Sequence, residues 1–166
     1  MSRRSAARTA SLNRFPLPEP LRSDLHLTAP AKGEVCYHGM ASLLVVDDDA
    51  RVCDLLRRLL VRAGHSVACA NGGEEAVATV RERSPDLVIL DWMMPGLDGM
   101  GVLKRLRADP ATAGTAVMVY TASDDPQVAW DATRLGALDC VQKVGRFNDL
   151  RERIRACLDA ACRVRR

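Results

Sequence analysis

Four short apolar runs in this chain lead into residues that can do chemistry. Leu43–Val46 runs into Asp47, Asp48 and Asp49; Leu87–Leu90 ends at Asp91; Ala116–Tyr120 ends at Thr121; Leu138–Val141 is followed closely by Lys143. Each residue alone has an ordinary reading as a helix cap, a turn residue or a surface charge. Together, Asp47, Asp48 and Asp91 bring three carboxylates to the ends of strands that also deliver a hydroxyl and an ammonium. Neighbouring carboxylates repel, and one takes up a proton unless a cation intervenes. Mg2+ suits such a place, because it prefers oxygen ligands, keeps several waters and often takes only one or two carboxylates. Three carboxylates, Lys143 and one divalent ion balance to zero. A phosphoryl group adds about two negative charges, which the ion, Lys143 and the Thr121 hydroxyl would meet. An aspartate at a strand end can also act as a nucleophile and form an acyl phosphate, with positioning and charge neutralisation supplying the catalysis.

Alternating strands and helices must position these groups. Val52, Leu55, Leu56, Leu59 and Leu60 recur at helical spacing after the first strand, and Gly64 stops that helix. Asp49 reads as its N-cap. His65–Ala70 reads as a second strand, less apolar than the others and so placed at an edge. Helices are expected over about 74–83, over a segment carrying Val102, Leu103 and Leu106, and over about 126–135. A last helix runs from about Asn148 with Leu150, Ile154, Cys157 and Leu158 on one face. Five alternations imply a parallel sheet with right-handed crossovers, covered on both faces. The expected architecture is α/β, a flavodoxin-like (βα)5 doubly wound sheet of order 2-1-3-4-5. In that order the first and third strands meet at the switch point, where sites gather, and Asp48 and Asp91 come side by side.

The chain has 166 residues, 48% apolar and 27% charged, with a net charge of +3. This composition excludes collagen-like, coiled-coil and wholly disordered classes. The longest uncharged stretch, Pro110–Ser123, has 14 residues, whereas a spanning helix needs about 20; no membrane association is expected. Residues 1–39 carry six Lys and Arg against three Asp and Glu, and the remainder is neutral. That balance argues against direct DNA binding. Residues 1–39 lack periodicity and read as a disordered or extended tail, with Met40 an alternative start; residues 40–166 form the domain. Six cysteines occur without C-x-x-C spacing, which disfavours zinc and fits small buried side chains in a reducing, cytoplasmic setting. Trp92 is expected at the rim beside Asp91, and Met93, Met94 and Met100 as packing residues.

LLVVDDDARV (43–52), DLVILDWMMPGLDG (86–99), VMVYTA (117–122) and GALDCVQK (136–143) together resemble the receiver domain of two-component response regulators. The resemblance implies that Asp91 is the phospho-acceptor. It implies that Asp48 binds Mg2+ directly, Asp47 mainly through a water, and Met93 through its carbonyl. Thr121 would hydrogen-bond the phosphoryl group and Lys143 would pair with it. The implied donor is a histidine kinase or phosphotransfer protein. With no output domain expected, signalling would pass by protein contact through the fourth helix, fifth strand and fifth helix, and the chain would not be an enzyme in its own right.

Two positions depart from the pattern. Receivers usually have Pro after the Lys, commonly in a cis bond; here Val144 stands there. A cis non-proline bond costs about 3–4 kcal/mol, so a trans bond is expected. Receivers usually carry Tyr or Phe three residues before the Lys; here it is Cys140, which cannot signal by ring rotation. These departures motivate an alternative, a receiver-shaped binding module that works without phosphate. A further alternative is a phosphatase of the haloacid-dehalogenase type starting at Asp47, although Arg51 stands where that motif has Thr or Val.

Overall fold

The computed structural model describes residues 39–164; the expectations for residues 1–38, including Cys36, lie outside them. Five strands alternate with five helices: β1 (Ser42–Val46), α1 (Ala50–Arg62), β2 (Ser66–Ala70), α2 (Gly73–Arg83), β3 (Leu87–Leu90), α3 (Gly99–Ala108), β4 (Val117–Thr121), α4 (Pro126–Arg134), β5 (Asp139–Gln142) and α5 (Phe147–Val164). The strands form one sheet of order β2-β1-β3-β4-β5 with every pairing parallel. This is the flavodoxin-like α/β fold, with β2 at an edge as its lower apolar content foretold. Strand boundaries shift by one residue from the sequence expectation at β1, β2, β4 and β5, and so does the start of α5.

Side chains alternate across the central strands, because successive residues of a strand face opposite sides. Leu44, Val46, Val88, Leu90, Val117 and Val119 face α2, α3 and α4, where Val80, Val102, Leu103, Leu106 and Ala132 complete one core. Leu43, Val45, Leu87, Ile89 and Met118 face α1 and α5, where Leu56, Leu60, Leu150, Ile154 and Leu158 complete the other. Burying one such aliphatic side chain stabilises the fold by about 1.5–3 kcal/mol. The pattern explains why these runs are apolar at every position rather than at alternate ones.

Three helices that leave the carboxyl edge of the sheet begin on aspartates. Asp49 Oδ1 accepts from the Arg51 amide at 2.9 Å, Asp98 Oδ1 from Gly101 at 2.7 Å, and Asp125 Oδ1 from Gln127 at 2.9 Å, with Pro126 in the first turn of α4. Capping therefore concentrates acid at the same edge as the candidate site. At the other end of α1, Gly64 takes φ +94°, a conformation that favours glycine, and turns the chain into β2.

Candidate functional site

β1 and β3 are neighbours in register, with Val46 opposite Leu90, so the residues following them are juxtaposed. Asp47, Asp48 and Asp91 each offer a carboxylate oxygen, and these oxygens lie within 4.8 Å of one another. Asp47 and Asp91 are buried and Asp48 is exposed, so the cluster opens to solvent on the Asp48 side. The Asp47 Oδ1 accepts from the Asp49 amide at 3.0 Å, and Asp91 Oδ1 accepts from the Met93 amide at 3.3 Å.

Lys143 closes the arrangement. Its Nζ donates to Asp47 Oδ2 at 2.6 Å and to Asp91 Oδ2 at 2.8 Å, with the side chain only 16% exposed. Burial pushes the Asp47 carboxyl above its ordinary value; the bonds from Lys143 and the Asp49 amide oppose this, and the Asp91 charge adds to it. Burial pulls the Lys143 ammonium the other way, but its bonds to Asp47 and Asp91 prevail and its pKa rises. The Lys143 amide donates to the Thr121 carbonyl at 2.7 Å, which ties the ends of β4 and β5 together. Thr121 is fully buried, and its Oγ1 accepts from the Ser123 amide at 3.2 Å.

The residues singled out from the sequence thus occupy one edge of the sheet. Among the described residues every peptide bond is trans, including Lys143–Val144, and Val144 is exposed in the loop after β5. Cys140 is buried against the α2–α4 side. Two expectations need correction. Trp92 is not at the rim: it is 6% exposed and belongs to the core with Met94 and Val102, because the chain turns inward after Asp91. Met93 does not pack: it is 63% exposed, while Met94 fills the core.

Sequence reasoning missed the part played by Gly99. A Cβ there would fall 2.7 Å from Trp92 Cα and closer still to the Asp91 carbonyl oxygen. The Asp98-Gly99 pair at the head of α3 carried the signal: the aspartate caps the helix, and the glycine lets it start against the backbone of Asp91.

The donor set consists of oxygens, suits a hard divalent cation, and is compact enough for one ion to serve all three aspartates. A parallel sheet with an acidic cluster at its switch point places these side chains where doubly wound α/β proteins bind their ligands. Residues 43–155 match the response regulator receiver domain, and the chain belongs to that family, which is not one of catalytic enzymes; the haloacid-dehalogenase reading falls with that assignment. The chain is 38% identical over 122 residues to the transcriptional regulatory protein ZraR of Escherichia coli O157:H7, covering 73% of this chain and 27% of ZraR. It is 39% identical over 119 residues to the transcriptional regulatory protein AfsQ1 of Streptomyces coelicolor, covering 72% of this chain and 52% of AfsQ1. It therefore spans about a quarter to a half of these curated relatives. Among solved structures it is similar to the Francisella response regulator 1452 receiver domain, with 27% identity and a TM-score of 0.66, covering 72% of this chain and 98% of that one. Vibrio cholerae chemotaxis protein CheY4 is similar at 26% identity and a TM-score of 0.65, covering 70% and 97%. Among the described residues no helix is long and apolar enough to cross a membrane.

Proposed function

We propose that this receiver accepts a phosphoryl group on Asp91 from a histidine kinase or phosphotransfer protein, in the cytoplasm, and passes the signal on by protein contact. The observation that carries the reading is the meeting of Asp47, Asp48 and Asp91 within 4.8 Å around an ammonium that bridges two of them. Asp48, Asp91 and the Met93 carbonyl would hold Mg2+ directly, and Asp47 through a water. The ion would neutralise charge on the transferring phosphoryl group.

The chain's own residues do the remaining work. The Met93 amide and Lys143 Nζ hold the two oxygens of Asp91 in place, which lowers the entropic cost of an in-line approach. A bond forms between an Asp91 oxygen and phosphorus as the donor's phosphorus–nitrogen bond breaks, and the departing imidazole nitrogen takes a proton. Lys143 then pairs with a phosphoryl oxygen, and the Thr121 hydroxyl donates to another once it turns from the Ser123 amide. That turn gives the two-state element that α4, β5 and α5 would report.

Incubation with acetyl phosphate and Mg2+, followed by intact mass, tests the reading. The expected result is one added phosphoryl group, absent with chelator and absent in Asp91→Asn. Modification that survives Asp91→Asn places the acceptor elsewhere. The burial of Cys140 where receivers usually carry a ring favours the second reading, a module that binds its partner without phosphate. An unmodified mass together with no binding of beryllofluoride would select it.

A further inference from the structure

Cys53 projects from α1 and Cys69 from the edge strand β2, and the proposed chemistry uses neither. Cys53 is 2% exposed, and its Sγ lies 3.5 Å from the Asp47 carbonyl oxygen and 3.8 Å from that of Ala70. Cys69 is half-buried. Its Sγ donates to the Cys53 carbonyl at 3.7 Å, which sets the two cysteines side by side where α1 packs on β2. One sulfur of the pair therefore reaches the edge of the sheet, and the other sits beneath the backbone of Asp47.

We propose that Cys53 and Cys69 form an oxidisable pair, which a two-electron oxidant of the peroxide class converts into an intrachain disulfide that fastens α1 to β2 beneath Asp47. Cys69 is reached first. Having lost its thiol proton, its sulfur attacks one peroxide oxygen, the oxygen–oxygen bond breaks, and a sulfenic acid and water result. The Cys53 sulfur then attacks the sulfenic sulfur; the sulfur–oxygen bond breaks, and water leaves with the Cys53 proton. Two thiols and one hydrogen peroxide give one disulfide and two waters. The sulfurs lose two electrons and the peroxide gains them.

Burial holds both thiols protonated, with Cys53 pushed up to about 12. Only the small deprotonated fraction of Cys69 attacks, so the bond forms slowly. A sulfur–sulfur bond is about 2 Å long, shorter than any thiol contact, so forming it draws the Cys53 sulfur from the carbonyls of Asp47 and Ala70. The effect on the acidic pocket rests on the proposed metal-binding role of Asp47; the bond itself does not.

The full chain, reduced and then held with hydrogen peroxide, is denatured, alkylated and mapped. The expected product is a linked Cys53–Cys69 peptide, lost in Cys69→Ser and kept in Cys140→Ser. Alkylation of both cysteines overturns the proposal, as does sulfinic acid at Cys69 beside an alkylated Cys53. Mg2+ is then titrated against the fluorescence of Trp92 in a Trp130→Phe background. Affinity at least about fivefold weaker in the linked form is expected, and a linked form of unchanged affinity overturns the coupling to the pocket. Failure to bind Mg2+ in either form overturns the metal reading and the coupling, while the peptide map still decides the bond.

Discussion

Lys143 Nζ lies 2.8 Å from Asp91 Oδ2 across 52 positions of sequence, and the same ammonium reaches Asp47 across 96 positions at 2.6 Å. One cation therefore serves two carboxylates that are each almost wholly buried. Without it, three aspartates would face one another with no fixed counter-charge.

Lys143→Met tests that arrangement. Removing one partner from a buried ion pair leaves uncompensated charge. The variant should lose about 3–5 kcal/mol of stability in chelator, read by urea denaturation. Mg2+ should restore part of the loss, because an ion that binds only the folded state stabilises it by mass action. Equal stability of variant and parent in chelator would show that the ammonium is not needed to hold the cluster.

Asp47→Asn probes the opposite side of the same balance. Burial outweighs the Lys143 and Asp49 bonds, so the folded pKa of Asp47 lies above its ordinary value of 3.8. A carboxyl raised on folding favours the fold when protonated; that contribution is fully present below 3.8 and is lost as pH rises through the raised value. In chelator at neutral pH, Asp47→Asn should therefore melt higher than the parent, and the gain should shrink as pH falls toward 3.8. A gain that grows on acidification would reverse the sign assigned to Asp47.

The contrast between strand ends and side-chain geometry marks what the sequence could reveal. Strands β1, β3 and β4 were legible because a strand buried on both faces must be apolar throughout, and α5 because Leu150, Ile154, Cys157 and Leu158 recur at helical spacing and are all buried. The Asp49 cap followed from local hydrogen bonding within two residues. Trp92 was misplaced because the path of the chain after Asp91 depends on how α3 packs against β3, which no local pattern records. The double contact of Lys143 was equally invisible, since it depends on four strands, β1, β3, β4 and β5, lying in register. The half-buried Arg107 was missed for the same reason: it donates to the Ala113 and Thr115 carbonyls at 3.0 Å and to that of Gly136 at 2.8 Å.

His65 gives a pH test remote from the acidic cluster. Its Nδ1 accepts from the Ala41 amide at 3.4 Å, a bond open only to the neutral ring, and burial lowers its pKa from 6.5. As pH falls below 6.5 the unfolded chain takes the proton first, so stability is lost through the lowered folded value; above 6.5 the group has no effect. His65→Gln should flatten this acid limb in urea denaturation across a pH series. An unchanged slope would assign the acid sensitivity to other groups.

Gly99 is the position where a single methyl group should reach the site. The close approach of a Cβ to Trp92 Cα and the Asp91 carbonyl involves backbone on both sides, so no side-chain rotation can relieve it. Either α3 shifts away from β3, or the turn after Asp91 opens. Overpacking of this kind costs about 1–3 kcal/mol, which the urea midpoint of Gly99→Ala should show. Alanine is the better helix former, so a loss would isolate the close approach as the cause. The same shift would move Asp91 and the Met93 amide that holds its Oδ1, so Mg2+ affinity read from Trp92 should weaken with stability. By comparison, Gly114→Ala, where an added Cβ meets nothing within 4 Å, should leave both unchanged. If Gly99→Ala matched Gly114→Ala in both measurements, the contact between α3 and the end of β3 would not position Asp91.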